Sequence, residues 1–347
     1  MSLEEKIRQK AFNLGFDAAG ITTADPVDAA HIEYFQQWLA DGCAAKMAYL
    51  HRNIDKRFDP SRLLKGAKSV ICVALNYRPE CGRSFQLRNR QDAPDGDSEG
   101  KLEACPTLRI ANFAQYEDYH PFIKDRLFQL AEFIQTKDER RKPSDCDSGC
   151  AHENSNNIRF KACVDSVPLA ERALAQRAGL GFIGRNRMLI NPELGSQFLL
   201  GELITTLQLQ PDEPFEQIPC GDCGRCIRAC PTGALGFDGH FDARKCISYQ
   251  TIEAPTKAEQ RKLPDGDSKD ARAGNYIFGC DECILACPHE LNAPLRQNTD
   301  FQHHRQWQNL TPDQIQFMTE NEFQKTFANS GFIRLGLDRL KRNAGDK

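Results

Sequence analysis

The chain has 347 residues, is 40% hydrophobic and 27% charged, and carries a formal net charge of −3. That length allows two domains and the composition is that of a soluble globular protein. Near-neutral charge excludes binding to nucleic acid through bulk basicity, but neither predicts nor excludes a nucleic-acid partner as such.

From the N-terminus, Leu3, Ile7, Ala11 and Leu14 recur at helical spacing over residues 2–15. Met1–Lys10 is charged and reads as helix, not as a signal segment. Ala18–Ile21 reads as a short strand, residues 29–40 as a helix, and Ser69–Tyr77 (SVICVALNY) as a buried strand. An amphipathic helix is expected over 119–135. A strand follows at Phe160–Ser166, then a helix from about Pro168 to Ala178 with proline in its first turn. Phe198–Leu207 is another apolar run, and Thr311–Asn343 reads as a helical tail. Alternation of strands and helices points to an α/β or α+β domain over 1–210. A cysteine-rich module over 211–295 and a helical segment over 296–347 follow. Segments 80–106, 136–157 and 255–273 read as polar surface insertions. No apolar run approaches the roughly 18 residues of a membrane helix, so a cytoplasmic enzyme is expected.

Fifteen cysteines are unevenly spread, with eight between Cys220 and Cys287. In a reducing compartment such thiols serve metals or catalysis. Residues 220–231 read CGDCGRCIRACP, the C-x2-C-x2-C-x3-C-P run of two-cluster ferredoxins. Three thiolates on a tight loop cap three irons of one cubane, and the fourth, one helical turn on, serves the other cluster. Residues 280–288 (CDECILACP) repeat the run one cysteine short, and Cys246 supplies the missing thiolate. Two [4Fe–4S] clusters are therefore expected: one on Cys220, Cys223, Cys226 and Cys287, the other on Cys230, Cys246, Cys280 and Cys283. Structural zinc also uses C-x2-C pairs, but rarely the C-P ending twice.

The stretch GLGFIG (179–184) matches G-x-G-x-x-G, but a helix is expected before it where a dinucleotide site needs a strand. Its glycines read as a helix stop and turn. Asp165, at a strand's carboxyl end, is either the N-cap of the next helix or a general acid in a cleft. Cys146, Cys150 and His152 lack a fourth metal partner. Cys81 and Cys105 are expected to be free, Cys163 to be buried, and His303 and His304 to be exposed. Arg185, Arg187, Arg334, Arg339, Lys341 and Arg342 are basic candidates for RNA contact, set against an ordinary solvated surface.

Several stretches together resemble the epoxyqueuosine reductase family: YHPFIKDRL (119–127), VDSVPLAERALAQRAGLGFIGRN (164–186), NPELGSQFLLGELIT (191–205), the two cysteine runs, CISYQTIE (246–253) and GFIRLGLDRLKRNA in the tail. The tail is similar to the family's short form, without a helical-repeat extension. The resemblance implies a cobalamin-binding domain fused to a two-cluster ferredoxin module, with cobalamin base-off beside one cluster. It implies reduction of epoxyqueuosine to queuosine at the wobble position of tRNA, with electrons from an unidentified low-potential donor, by a monomer. Asp165 matches the family's proton donor. Burial beside the corrin would raise its pKa so that it holds a proton at neutral pH. Arg57, Ala111, Leu189, Leu200, Leu203, Ser248 and Asp281 match the cobalamin contacts. The chain departs from the pattern at CPHE (287–290), where CPWN is usual, and at 111–120, which lacks the usual Arg. The competing readings are a cobalamin-dependent reductive dehalogenase, usually exported by a twin-arginine signal not seen here, and a non-catalytic electron carrier.

Overall fold

Every residue of Ser69–Asn76 is buried, which is why this stretch reads as one apolar run with no polar side. The computed structural model describes residues 1–79, 108–137, 158–216, 220–255 and 275–345. The three insertions fall almost wholly outside these residues, with Cys81, Cys105, Cys146, Cys150 and His152 among them.

The strands are β1 (Ala18–Thr23), β2 (Ser69–Asn76), β3 (Arg109–Ile110), β4 (Phe160–Cys163), β5 (Phe182–Ile183), β6 (Leu189–Ile190), β7 (Phe198–Thr205) and β8 (Tyr276–Phe278). Four of them form the central sheet in the order β1-β2-β7-β4. All three pairings are antiparallel, with Ile71 opposite both Ile21 and Leu203. The alternation of strands and helices is as expected, and the antiparallel pairing makes the domain α+β.

The sheet is covered on both faces. Ile71, Val73, Leu75 and Leu203 face one side. There they meet helices α1 (Leu3–Asn13) and α2 (Tyr119–Lys137) through Ile7, Ala11, Ile123, Leu127, Leu130 and Ile134. Burial of each such side chain contributes about 1.5–3 kcal/mol. Gly201 lets α2 approach β7, since a Cβ there would come within 2.5 Å of the Ile123 side chain. Val70, Cys72, Ala74, Leu200 and Ile204 face the other side, against Leu174 and Ala175 of α3 (Glu171–Arg177).

Two elements near Asp165 are shorter than the periodicity predicts. The strand stops at Cys163, and the helix starts at Glu171 rather than Pro168. Between them the chain turns through Asp165, whose φ is +46°, and through Ser166 N–H to Val164 O and Leu169 N–H to Val167 O bonds. The N-cap position is Ala170, with no side-chain cap, so Asp165 is not the N-cap. The glycines of 179–184 do form the turn after α3. A Cβ on Gly181 would lie 2.2 Å from the Ile190 carbonyl, across the β5–β6 pair.

A third core joins the expected segments. Leu108, Ile110 and Ala114 pack with Ile277 and Phe278 and with Trp307, Phe323, Phe327, Phe332 and Leu340 of the tail. β3 pairs in parallel with β8 beside it. The tail is not one helix. Capping boxes at Thr311 and Thr319 start new helices, and Gly336, at φ +80°, divides the last two.

Candidate iron–sulfur and acid site

The cysteine loops follow from their glycines. Gly221, Gly224 and Gly279 take positive φ, which folds the chain back so that neighbouring thiols face a common centre. Short helices then carry the last cysteines: α4 (Arg225–Ala229) leads to Cys230, α5 (Ile247–Ile252) begins at Cys246, and α6 (Glu282–Leu285) leads to Cys287. Helices α4 and α6 pack together, bringing the two runs side by side.

The thiols separate into two sets by the charges they feel. Cys226 senses Cys220 and Cys223, and Cys287 senses Cys220 and Cys226. Cys283 senses Cys280, Cys246 and Cys230. The neighbourhoods group Cys287 with Cys220 and Cys226, and Cys283 with Cys280, Cys246 and Cys230. All eight thiols are free. Thiolates round a cubane stand wider apart than those round one ion, and among the described residues no three such side chains converge on a single-ion point. Burial pushes Cys287 up to about 11 and Cys280 up to about 12, so these sulfurs ionise when a cation takes the proton's place. Burial acts on Cys230 too, but the N–H groups of Thr232, Ala234 and Leu235 outweigh it and hold the thiol low. The Ala234 N–H lies 3.3 Å from its sulfur. The donor set and its surroundings fit two [4Fe–4S] clusters.

Asp165 lies at the end of β4, with its side chain 61% exposed to a cleft. Tyr119 donates its hydroxyl to Asp165 Oδ2 at 2.8 Å. His120 Nε2 lies 3.3 Å from the same oxygen, and its Nδ1 lies 2.8 Å from Asp118 Oδ1. Arg334, from the tail, donates to both oxygens of Asp118 at 2.8 and 2.6 Å. The hydrogen bond from His120, with help from Tyr119 and Arg334, holds the Asp165 carboxyl below its ordinary range, against the effect of burial. The expected raised acid is therefore a resting carboxylate. Burial and Arg334, whose guanidinium lies 2.9 and 2.7 Å from the two ring nitrogens, work against a charge on His120, but Asp118 and Asp165 outweigh them and raise its pKa. His120 is thus the group of raised proton affinity next to Asp165.

Tyr49 stands between Asp165 and the segment after α5. Tyr49 donates to Glu253 Oε1 at 3.4 Å, just after α5. Burial, then Glu253, then Asp165 push the Tyr49 phenol up to about 12. Arg57 closes another side, 5.5 Å over the Phe35 ring, with its Nε buried and lacking a hydrogen-bond partner. A corrin's amide side chains offer acceptors for such an N–H, so this wall fits cobalamin. Ser248, beside Cys246, directs its hydroxyl and its N–H to the Cys246 sulfur. Leu200 is part-exposed on the α3 face of the sheet, and Leu189 is buried in the same layer. Ala111 is fully buried beside Gly279, and Asp281 accepts the Asn112 N–H at 2.6 Å. Leu203 is a correction. It is fully buried in the core under α1 and α2, on the opposite face from Leu200, because successive strand residues alternate.

The basic candidates also divide. Besides Arg334, Arg339 donates to Ile252 O at 2.9 Å, and Arg342 to Gln250 O at 2.7 Å and Ala254 O at 2.9 Å. Arg187 lies 4.2 Å over the Tyr34 ring. These four guanidinium groups hold the fold together. Arg185 and Lys341 are part-exposed. His303 and His304 are half-buried, stacked on Tyr116 and Trp307, rather than exposed.

Sequence reasoning missed the Asp118–His120–Arg334 chain and two buried acids, Glu171 and Glu202. One signal was present: Glu202 is a charge inside an otherwise apolar strand. It also missed Glu290, the departure in CPHE. Glu290 is 1% exposed and accepts from Ser196 Oγ at 2.9 Å, from Gln197 Nε2 at 2.8 Å and from the Ser196 N–H.

A double cluster site together with an acid site on an α+β domain defines an iron–sulfur oxidoreductase. Two family models match: "4Fe-4S double cluster binding domain" over residues 219–290 and "Epoxyqueuosine reductase QueG, DUF1730" over 57–166. The epoxyqueuosine reductase of Gloeobacter violaceus (strain ATCC 29082 / PCC 7421) is 35% identical, over 98% of this chain and 93% of its own. That of Cyclobacterium marinum is 34% identical, over 97% and 94%. A crystal structure of selenomethionine-labelled epoxyqueuosine reductase superposes with a TM-score of 0.75 at 28% identity, covering 99% of this chain and 80% of the other. An epoxyqueuosine reductase with a tRNA-Tyr epoxyqueuosine-modified stem loop gives 0.70 at 28% identity, with the same coverage. The chain belongs to the epoxyqueuosine reductase family.

Proposed function

We propose that this chain reduces the epoxide of epoxyqueuosine in tRNA to give queuosine, with two [4Fe–4S] clusters as the electron relay and cobalamin held base-off between the second cluster and Asp165. The observation that carries the reading is kinship to epoxyqueuosine reductases over 98% of the chain, together with an acid site whose neighbour Tyr49 bonds Glu253 just after the helix that begins at Cys246. Cobalamin, when bound, supplies low-potential cobalt chemistry at the epoxide carbon. The residues of this chain manage the rest. Arg57 and Ser248 hold the cofactor's edges, and Leu189 and Leu200 keep water from one face. His120 passes its proton to Asp165, and Asp165 gives it to the oxygen released as the C–O bond opens. His120 is left neutral and is reprotonated from solvent. Arg185 and Lys341 remain to contact the tRNA backbone.

The test is an anaerobic assay with epoxyqueuosine-containing tRNA, reconstituted protein, a strong reductant and cobalamin. The parent chain is expected to form queuosine, and Asp165→Ala to be slower by about 10²–10⁴-fold. Equal turnover in both would remove Asp165 from its role. No turnover in either, with clusters and cobalamin loaded, would point to another substrate.

A further inference from the structure

Glu202 sits in the middle of β7, fully buried, and neither of its carboxyl oxygens has a hydrogen-bond donor. A lone carboxylate in that position would be costly. The group that faces it is a second carboxyl, Glu171, at the start of α3; Glu171 pushes Glu202 upward, whereas the hydrogen bond from Glu202 lowers Glu171. Two buried carboxyls with no donor between them are joined only by a proton that they share. Glu171 also accepts the backbone N–H of Asp165 through Oε1 at 2.6 Å. That bond holds the one turn in which Asp165 adopts a left-handed φ of +46°, a strained conformation for a residue with a Cβ.

We propose that Glu171 and Glu202 form a proton-sharing acid pair that positions Asp165. One proton between them lets Glu171 stay beside Glu202 and keep the Asp165 amide. Loss of that proton sets two buried carboxylates against each other, and the Asp165 turn loses its anchor. The proposal rests on the reading of Asp165 as proton donor and adds the device that holds it.

The surroundings allow the pair to titrate as a unit. Cys72 from β2 and Cys163 from β4 are neutral neighbours, because burial pushes both thiols up. Tyr119 and Asp165 lie on the cleft side. Arg57 and Arg172 are the nearby cations, and Arg172 directs its guanidinium to the Arg187 carbonyl. Burial, with Asp165 next, pushes Glu171 up to about 7. Burial and Glu171 raise Glu202 well above its ordinary range, so above about 7 Glu171 gives up its own proton and the pair keeps one, held on Glu202 and shared with Glu171.

Infrared spectra of the full chain at about pH 8, recorded without tRNA, read the pair directly. The parent is expected to keep a protonated-carboxyl carbonyl band, and Glu202→Gln to lack it, because its amide donates to Glu171 without a carboxyl proton. In the turnover assay Glu202→Gln is expected to stay within about threefold of the parent, and Glu202→Leu, which offers Glu171 no donor, to be slower by at least about tenfold. Absence of the band in the parent, or a Glu202→Leu rate equal to the parent's, overturns the pair; the parent band decides even if a variant does not fold. A parent that shows the band but forms no queuosine at any pH leaves the pair standing and counts against the proposed reaction.

Discussion

Asp165 is held by its neighbours rather than by its burial. A carboxyl that faces a cleft and receives bonds from Tyr119 and His120 is stabilised as the anion. The neighbour with raised proton affinity is His120, between two carboxylates and the Arg334 guanidinium. This has a consequence for pH. His120 has its folded pKa raised above the ordinary 6.5. Its stabilising contribution is complete below about pH 6.5 and is lost as pH rises through the folded value. Melting curves of the parent and His120→Asn over about pH 6–9 are expected to converge as pH rises. The same variant is expected to turn over at least about 10-fold more slowly, because the proton no longer has a resting place beside Asp165.

At the scale of elements, the turn at Ser196–Gln197 before and into β7 depends on a residue from the cysteine module. Glu290 collects the Ser196 N–H, the Ser196 hydroxyl and the Gln197 amide in a site 1% exposed. Glu290→Ala leaves three buried donors without their acceptor, and a loss of about 3 kcal/mol is expected, read from denaturant unfolding. The departure from CPWN is thus a structural pin between the module and the sheet. His289 beside it packs edge-on against Phe182, with ring centroids 5.5 Å apart. The early end of β4 and the late start of α3 belong to this scale too. Both make room for the Asp165 turn, so the irregular elements are those that build the site.

Across the whole molecule, two ligand sets and one shared core make further expectations. Cys223→Ser removes a ligand from the first set only, and Cys283→Ser from the second only. Iron analysis after anaerobic reconstitution is expected to fall from about eight atoms per chain towards about four in each variant. The tail is part of the core, not an appendage. Leu340 is fully buried with Phe278 and Trp307, so Leu340→Ala is expected to cost about 2–4 kcal/mol in unfolding. It would also loosen Arg334 and, through Asp118, His120.

Some of this was legible in the chain itself, because local chemistry carries its own spacing. A cubane needs thiolates at set intervals, so Cys220–Cys230 and Cys280–Cys287 announced both clusters, and Cys246 completed the second. The strand at 69–76 and the helix from 119 followed from apolar period alone. The partners of Asp165 did not, because they come from separate stretches: Asp118, Tyr119 and His120 before it, Glu171 and Glu202 after it, and Arg334 from the tail. Nor could spacing tell that Leu203 turns away from Leu200, since a run apolar on both faces hides which face meets the cleft. Whether Asp165 is acid or anion was decided in space, where hydrogen bonds from distant residues outweigh the burial that the sequence alone suggested.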